Sequence, residues 1–254
     1  MTSRPRDLPN VTLVAIDCVA HDLTRLALED TLDQINPRTL LVYSNSQIAV
    51  PLRNCPPSHA YRPTACRSLS DVARVIWHEV PRELHTTHAL FVQYDGWVLD
   101  GRLWRDSWLE YDYIGAPWPW YPDRPVGNGG FSLRSCRLLH WLATHRASFP
   151  LLAGYAEDDL LCRYYRPALE ATGFRFAPEE VGQAFAFEHD APHSAFGFHG
   201  FFNLTREQLS ARSAFVNAYV KAKPDWAELL FRLKCRVDRA PLPGRRGDRS
   251  SRAN

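Results

Sequence analysis

Three apolar runs in the first hundred residues set the terms for any fold. Val11–Cys18 reads VTLVAIDC, Thr39–Ser44 reads TLLVYS and His88–Val98 reads HALFVQYDGWV. Such near-continuous runs, β-branched or aromatic, are the signature of strands covered on both faces, as in a parallel sheet. Helical patterns lie between them. His21–Ile35 carries Leu23, Leu26, Leu28, Leu32 and Ile35, with Pro37 to stop it, and Ser70–Glu83 starts with an N-cap at Ser70 or Asp71. Pro51–Pro63 reads as a proline-rich loop. Strand–helix alternation predicts an α/β domain with a parallel sheet.

Beyond residue 100 the pattern loosens. Asp112–Pro119 is extended and enters a proline-rich turn, and Val126–Arg134 is a glycine-rich turn leading into a short strand. Ser135–His145 and Glu157–Thr172 read as helices, the second opening with acids that suit a helix N-terminus. Phe174–Pro178 and Ala184–Glu188 read as short strands, Ser194–Leu204 as a loop, and Arg206–Tyr219 and Asp225–Val237 as closing helices. No repeat and no internal linker breaks the chain.

Composition narrows the function. Hydrophobic residues at 45% and charged residues at 23% suit a folded globular chain. No apolar run approaches the ~20 residues of a membrane-spanning helix. Met1–Pro9 is polar and lacks a signal-peptide core, so the expected compartment is the cytoplasm. The formal charge of +2 is unevenly spread: Arg236–Asn254 holds six Arg and two Asp, leaving a body that is slightly acidic. The body therefore gives little support for a nucleic-acid partner. The Pro-, Gly-, Ser- and Arg-rich tail 236–254 should be disordered and solubilising, and could also touch an anionic membrane face. The aromatic content is 12%, and 27 Arg stand against three Lys. Arg and aromatic rings suit a polar, ring-bearing ligand, although codon bias from a GC-rich genome is the better explanation of the Arg preference. The six cysteines form no C-x-x-C pair, so free thiols are expected.

Four candidates could carry chemistry, and each has a plainer structural reading. Asp95, in Gln93-Tyr94-Asp95-Gly96, ends an apolar strand, where open α/β sheets bind ligands and where a carboxylate can hold a hard cation; it could equally cap the next turn. Gly127–Arg134, GNGGFSLR, lets a ligand approach the backbone. It lacks the spacing of a P-loop or a dinucleotide fingerprint and reads alone as a flexible turn. Glu157-Asp158-Asp159 could supply a general base or simply satisfy a helix end. His199, between Phe198 and Gly200, could ligate a metal or just hydrogen-bond within its loop.

The order of these features is more specific than any one of them. Q-Y-D-G (Gln93–Gly96), Y-D-Y-I-G-A-P-W (Tyr111–Trp118), G-N-G-G-F-S-L-R (Gly127–Arg134), E-D (Glu157–Asp158), F-A-F-E (Phe185–Glu188) and F-G-F-H-G (Phe196–Gly200) succeed one another. This series resembles the layout of GT-A-type glycosyltransferases, and the chain looks most like an uncharacterised glycosyltransferase-like domain family of that fold, over about residues 10 to 205. The resemblance implies one α/β domain over 10–235, with a mixed, mostly parallel sheet flanked by helices. A Rossmann-like nucleotide-binding half would be followed by a loop-rich acceptor half. It implies transfer of a sugar from a nucleotide-diphosphate sugar, UDP-linked in the first instance, to a hydroxyl of a glycan or glycoconjugate, with inversion. Asp95 would match the last acid of the family's D-x-D metal motif and His199 its C-terminal metal ligand, together holding Mn²⁺ or Mg²⁺. Asp158, or Glu157, would be the base. Asp17, Ser44 and Asn45 would border the nucleotide. Gln93, Tyr94, Asn128, Gly129, Gly130 and Arg134 would line the donor, with Arg134 stabilising the leaving phosphate. Trp118 and Trp120 would meet the acceptor. Gln93 departs from the pattern, since the family has Asp there, and metal binding is left with one carboxylate and one imidazole. Mn²⁺ accepts imidazole more readily than Mg²⁺ does. Two other readings remain: a nucleotidyltransferase, and a catalytically idle carbohydrate- or partner-binding module that uses its Trp and Tyr rings as platforms.

Overall fold

The structure, a computed structural model, describes residues 4–46, 52–152, 154–210 and 212–222. Strand β1 (Arg6–Asp17) lies at the centre of a six-stranded sheet. It pairs in parallel with β2 (Ile35–Ser44) on one side and with β4 (His88–Val92) on the other, and β3 (His59–Pro63) closes the β2 edge. Beyond β4 the sheet turns antiparallel through β6 (Ser132–Ser135), and β5 (Tyr113–Gly115) forms the far edge. The order is β3-β2-β1-β4-β6-β5. The expected mixed, mostly parallel α/β architecture is thus present.

The crossover from β1 to β2 is α1 (His21–Gln34), which buries Leu23, Ala27, Leu28, Thr31 and Leu32 along one stripe. The chain passes from Gln34 straight into β2, so Pro37 lies inside a strand rather than ending a helix. The stretch read as a proline-rich loop contains β3. An edge strand needs only one hydrogen-bonded side, so Pro63 is tolerated at its end. The helix expected at Ser70–Glu83 begins one residue earlier as α2 (Leu69–Arg74), capped by Ser68, whose hydroxyl accepts from the Asp71 N–H at 3.2 Å. It then widens into a π-turn over Val75–Glu79 and tightens into a 3₁₀ turn over Val80–Glu83 at Pro81. β4 ends at Val92, six residues short of the expected run, because Gln93 and Gly96 exchange backbone hydrogen bonds and reverse the chain.

In the second half, α3 (Cys136–Thr144) is capped by Ser135. α4 (Glu157–Asp159), a π-turn over Leu160–Tyr164 and α5 (Arg166–Ala171) together cover the helix expected at Glu157–Thr172. Two expected strands are corrected. Phe174–Pro178 supplies only an isolated bridge, Tyr113 to Phe176. The first two residues of Ala184–Glu188 belong to α6 (Glu179–Phe185), whose start Pro178-Glu179-Glu180 is a helix-initiating sequence. Only Ala186–Phe187 remains extended, as β7, paired in parallel with β8 (Gly197–Phe198). α7 (Arg206–Ser210) and α8 (Ser213–Ala222) replace the single helix expected at Arg206–Tyr219. The expected helix Asp225–Val237 and the basic tail lie outside the described residues. Among the described residues no helix is long and apolar enough to cross a membrane, and Cys18, Cys55, Cys66, Cys136 and Cys162 are free.

Candidate functional site

The sheet reverses direction of growth between β1 and β4, and open α/β sheets bind ligands at the carboxyl ends of strands beside such a switch point. Asp17 ends β1 there, and Gln93-Tyr94-Asp95-Gly96 follows β4. Tyr94 lies between the two acids. Its burial, then Asp95, then Asp17, push its phenol up to about 12, so it stays protonated.

The β7–β8 ribbon brings in the loop residues. Its register pairs Ala186 with Gly197 and Phe187 with Phe198, which sets the next residues, Glu188 and His199, side by side. The His199 N–H donates to the Phe187 carbonyl at 3.0 Å. Phe198 is fixed edge-on against Trp97, with ring centroids 4.6 Å apart, within a small core that includes Leu23, Ala27 and Leu204. The imidazole of His199 is therefore clamped between two carboxylates. Its Nδ1 lies 2.8 Å from Glu188 Oε1 and its Nε2 lies 3.5 Å from Asp95 Oδ1. Burial works against the imidazolium, but Asp95 and Glu188 outweigh it and raise the imidazole pKa to about 10. Burial would also raise the Glu188 pKa; His199 and then His189 pull it below the usual carboxylate range instead.

The glycine turn completes the enclosure. Asn128 has φ 65°, a left-handed conformation that Asn tolerates. Its side-chain carbonyl accepts from Gly130 N–H at 2.9 Å and from Phe131 N–H at 3.2 Å, and its amide faces His199 Nδ1 at 3.0 Å. Gly130 allows the imidazole to lie on the backbone: a Cβ there would sit 2.0 Å from His199 Nε2. The next turn element is Asp158, whose Oδ2 accepts from Gly129 N–H at 2.7 Å while Oδ1 accepts from Asp159 N–H at 3.0 Å. Burial, reinforced by the neighbouring Glu157, raises its pKa. Gln93, Gly129, Gly130, Glu157, Asp158 and His199 line one cleft of about 200 Å³, whose opposite wall is the α2 face around Leu69 and Val72. Asp158 and His199 thus share one cleft, and Asp95, outside its lining, reaches it through His199.

Other expected residues stand elsewhere or are already occupied. Arg134 is fully buried, and its guanidinium forms a two-pronged pair with Glu157 while its Nε donates to Ser132 at 3.0 Å. Phe91 and Tyr113 cover its faces. Fully buried and paired with Glu157, it does not reach the cleft, so the expectation that Arg134 lines the donor is not met. Glu157 also accepts from the Trp77 indole N–H at 2.7 Å. With both oxygens committed, it is the anchor of Arg134 rather than a second candidate base. Trp118 is buried against Gly127 and Tyr121, where it cannot serve as an acceptor platform. Trp120 is 53% exposed and packs on His189, which pairs with Glu188 at 2.9 Å, so it stands on the rim of the site. Asp17 uses Oδ1 to accept from the Val19 and Ala20 N–H groups at the start of α1. Ser44 is buried, and Asn45 meets His21 Nε2 at 2.7 Å, so the β1 and β2 ends form their own group beside the cleft. Glu188 is the residue missed in the sequence. Its motif was visible, but only the strand register reveals its partner.

The donors suit a divalent cation in one respect. Asp95 Oδ1 and His199 Nε2 are both buried without a hydrogen-bond partner. Their 3.5 Å separation is one that two ligands of a single small cation, each about 2.1 Å from it, can span. Glu188 fixes the far side of the ring, as outer carboxylates do for metal-bound imidazoles. Among the described residues no three His, Cys, Asp or Glu side chains are placed to hold one metal ion together, so further positions would fall to substrate oxygens and water.

A family described as Protein of unknown function (DUF5672) matches residues 72–199, just over half of the chain. The match runs from the cleft wall at Val72 to His199 and takes in Gln93, Asn128, Asp158 and Glu188. No curated protein matches the chain in sequence. The chain is a member of the DUF5672 family.

Proposed function

We propose that this protein is a glycosyltransferase that moves a sugar from a nucleotide-diphosphate sugar, taken first as a UDP-sugar, to a hydroxyl of a glycan or polysaccharide, with inversion. The approach of Asp95 to His199, beside a cleft that His199, Asp158, Gly129 and Gly130 line near the switch point, carries this reading. A bound Mn²⁺ or Mg²⁺ would supply positive charge to the leaving diphosphate. Asp95 and His199 would hold it, His199 giving up its Nε2 proton to do so. Glycine at 129 and 130 lets Asp158 and the His199 ring pack directly on the turn's backbone, at the wall of the cleft.

Asp158 acts as the base. Each of its oxygens accepts one backbone N–H, which fixes the carboxylate without neutralising it, and its raised pKa makes it a better proton acceptor than an exposed Asp. The acceptor oxygen bonds to the sugar carbon and its proton passes to Asp158. The bond from that carbon to the diphosphate oxygen breaks, and its electron pair leaves with the nucleotide. We place this reaction in the cytoplasm, with the basic tail as its contact to the inner membrane face. UDP-sugars supplied one at a time test the reading. One of them should be slowly hydrolysed to UDP, and chelation should stop it. Asp158→Asn should keep donor binding and lose transfer. Full transfer by that variant contradicts the assignment of the base.

A further inference from the structure

A second cleft, of about 350 Å³, lies on the other side of α4 and is lined by Tyr121, Tyr155, Asp159, Arg163 and Tyr164. Three of its five lining residues are tyrosines, whereas the first cleft has no aromatic ring except the imidazole of His199. Tyr155 and Tyr164 are 41% and 56% exposed, and their rings meet edge-on at 4.9 Å. Exposed rings gathered in one place are a binding feature, since an isolated protein gains by burying them. The charges are unequal in availability. Arg163 is paired: its Nη1 meets Asp123 at 3.0 Å and its guanidinium lies 3.8 Å over the Tyr121 ring. Among the described residues Asp159 has no side-chain hydrogen-bond or ion-pair partner, so one unpaired acceptor carboxylate lines the cleft with the tyrosines.

The two clefts are joined. Asp158 lines the first and Asp159, its neighbour in the same turn, lines the second. A chain of side-chain contacts also links them along the rim, from Tyr121 to Trp120, to His189, to Glu188 and so to His199.

We propose that this second cleft is a subsite for a neutral sugar residue of a glycan. Aromatic faces cover the apolar C–H faces of a pyranose, and Asp159 accepts from its hydroxyls. Because the one free charge is negative, uronate or other anionic sugars are repelled. This deepens the transferase reading by naming the acceptor class, and rests on it for the role of acceptor, but binding itself does not depend on transfer.

The test is saturation-transfer NMR on the full chain, without nucleotide or metal, against neutral gluco- and manno-oligosaccharides and against an oligouronate. A neutral oligosaccharide should receive saturation and the uronate should not. The double substitution Tyr155→Ala/Tyr164→Ala should weaken binding by about tenfold, the size expected for losing two stacking rings. Asp159→Asn should admit the uronate. Both variants change exposed or rim side chains, and their thermal melts should match the parent. Absence of saturation with every neutral sugar at millimolar concentration, or equal saturation in the tyrosine variant, overturns the subsite. UDP-sugar turnover is read separately on the unaltered protein: sugar binding without turnover would leave the subsite standing and remove the transferase reading, leaving a carbohydrate-binding module.

Discussion

Two charge clusters lie within one turn of each other and differ in a single respect. In the Arg134–Glu157 cluster each side-chain nitrogen and oxygen has a partner: guanidinium to carboxylate, Nε to Ser132, indole N–H to the same carboxylate. In the Asp95–His199–Glu188 cluster the count comes out short: Glu188 meets His199 and His189, but Asp95 Oδ1 and His199 Nε2 are buried without hydrogen-bond partners. A saturated cluster stabilises a fold. One with spare polar atoms facing a cleft is fitted to a ligand, since leaving such groups unmet costs free energy that a bound molecule recovers.

The largest effect should follow from opening the saturated cluster. Glu157→Ala leaves Arg134 charged and buried, and should destabilise the protein by about 3–5 kcal/mol. Urea unfolding would show it, and a loss under 1 kcal/mol would mean that water reaches Arg134. Next comes Gly130→Ala, whose Cβ would meet the His199 ring 2.0 Å from Nε2. Overpacking of this kind costs about 1–3 kcal/mol, and the displaced imidazole should be visible as a shifted ring resonance in NMR. A smaller change should come from Glu188→Gln. It leaves the ring in place but loosens its orientation, lowering metal-dependent nucleotide affinity by about 10- to 100-fold, as measured by calorimetry.

The open cluster also sets a pH trend. The His199 pKa of about 10 in the folded protein lies above the ~6.5 of a free imidazole. The stability it confers is therefore complete below about pH 6.5 and is lost as pH rises through 10. Thermal melts should fall across that interval, and the fall should shrink in Asp95→Asn, which removes one of the two charges that raise the imidazole.

The parallel half was legible in the sequence because its signal is local. β1, β2 and β4 are buried on both faces, so their apolar runs announce them, and Asp95 is recognisable as an acid at the end of such a run. Departures arose where tertiary contacts overrule local pattern. β4 stops at Val92 because Gly96 folds back on Gln93, and α6 forms where a strand was expected because Pro178 and two glutamates start a helix. At the site, position was easier to read than occupancy. Asp158 and Arg134 both carry charge in motif positions, but only packing shows that Arg134 is fully committed to Glu157 while Asp158 faces the cleft. Trp118 and Trp120, two residues apart, differ the same way: one fills the space above Gly127 and the other stands in solvent.

The central claim is that Asp95, His199 and Asp158 serve one ligand in one cleft. Calorimetric titration of UDP in the presence and absence of Mn²⁺ addresses it most directly, on the parent protein and on Asp95→Asn, His199→Ala and Asp158→Asn. We expect UDP to bind only with Mn²⁺, to lose that binding in the first two variants, and to keep it in the third. UDP that binds all four proteins alike, or none of them with or without the metal, contradicts the account.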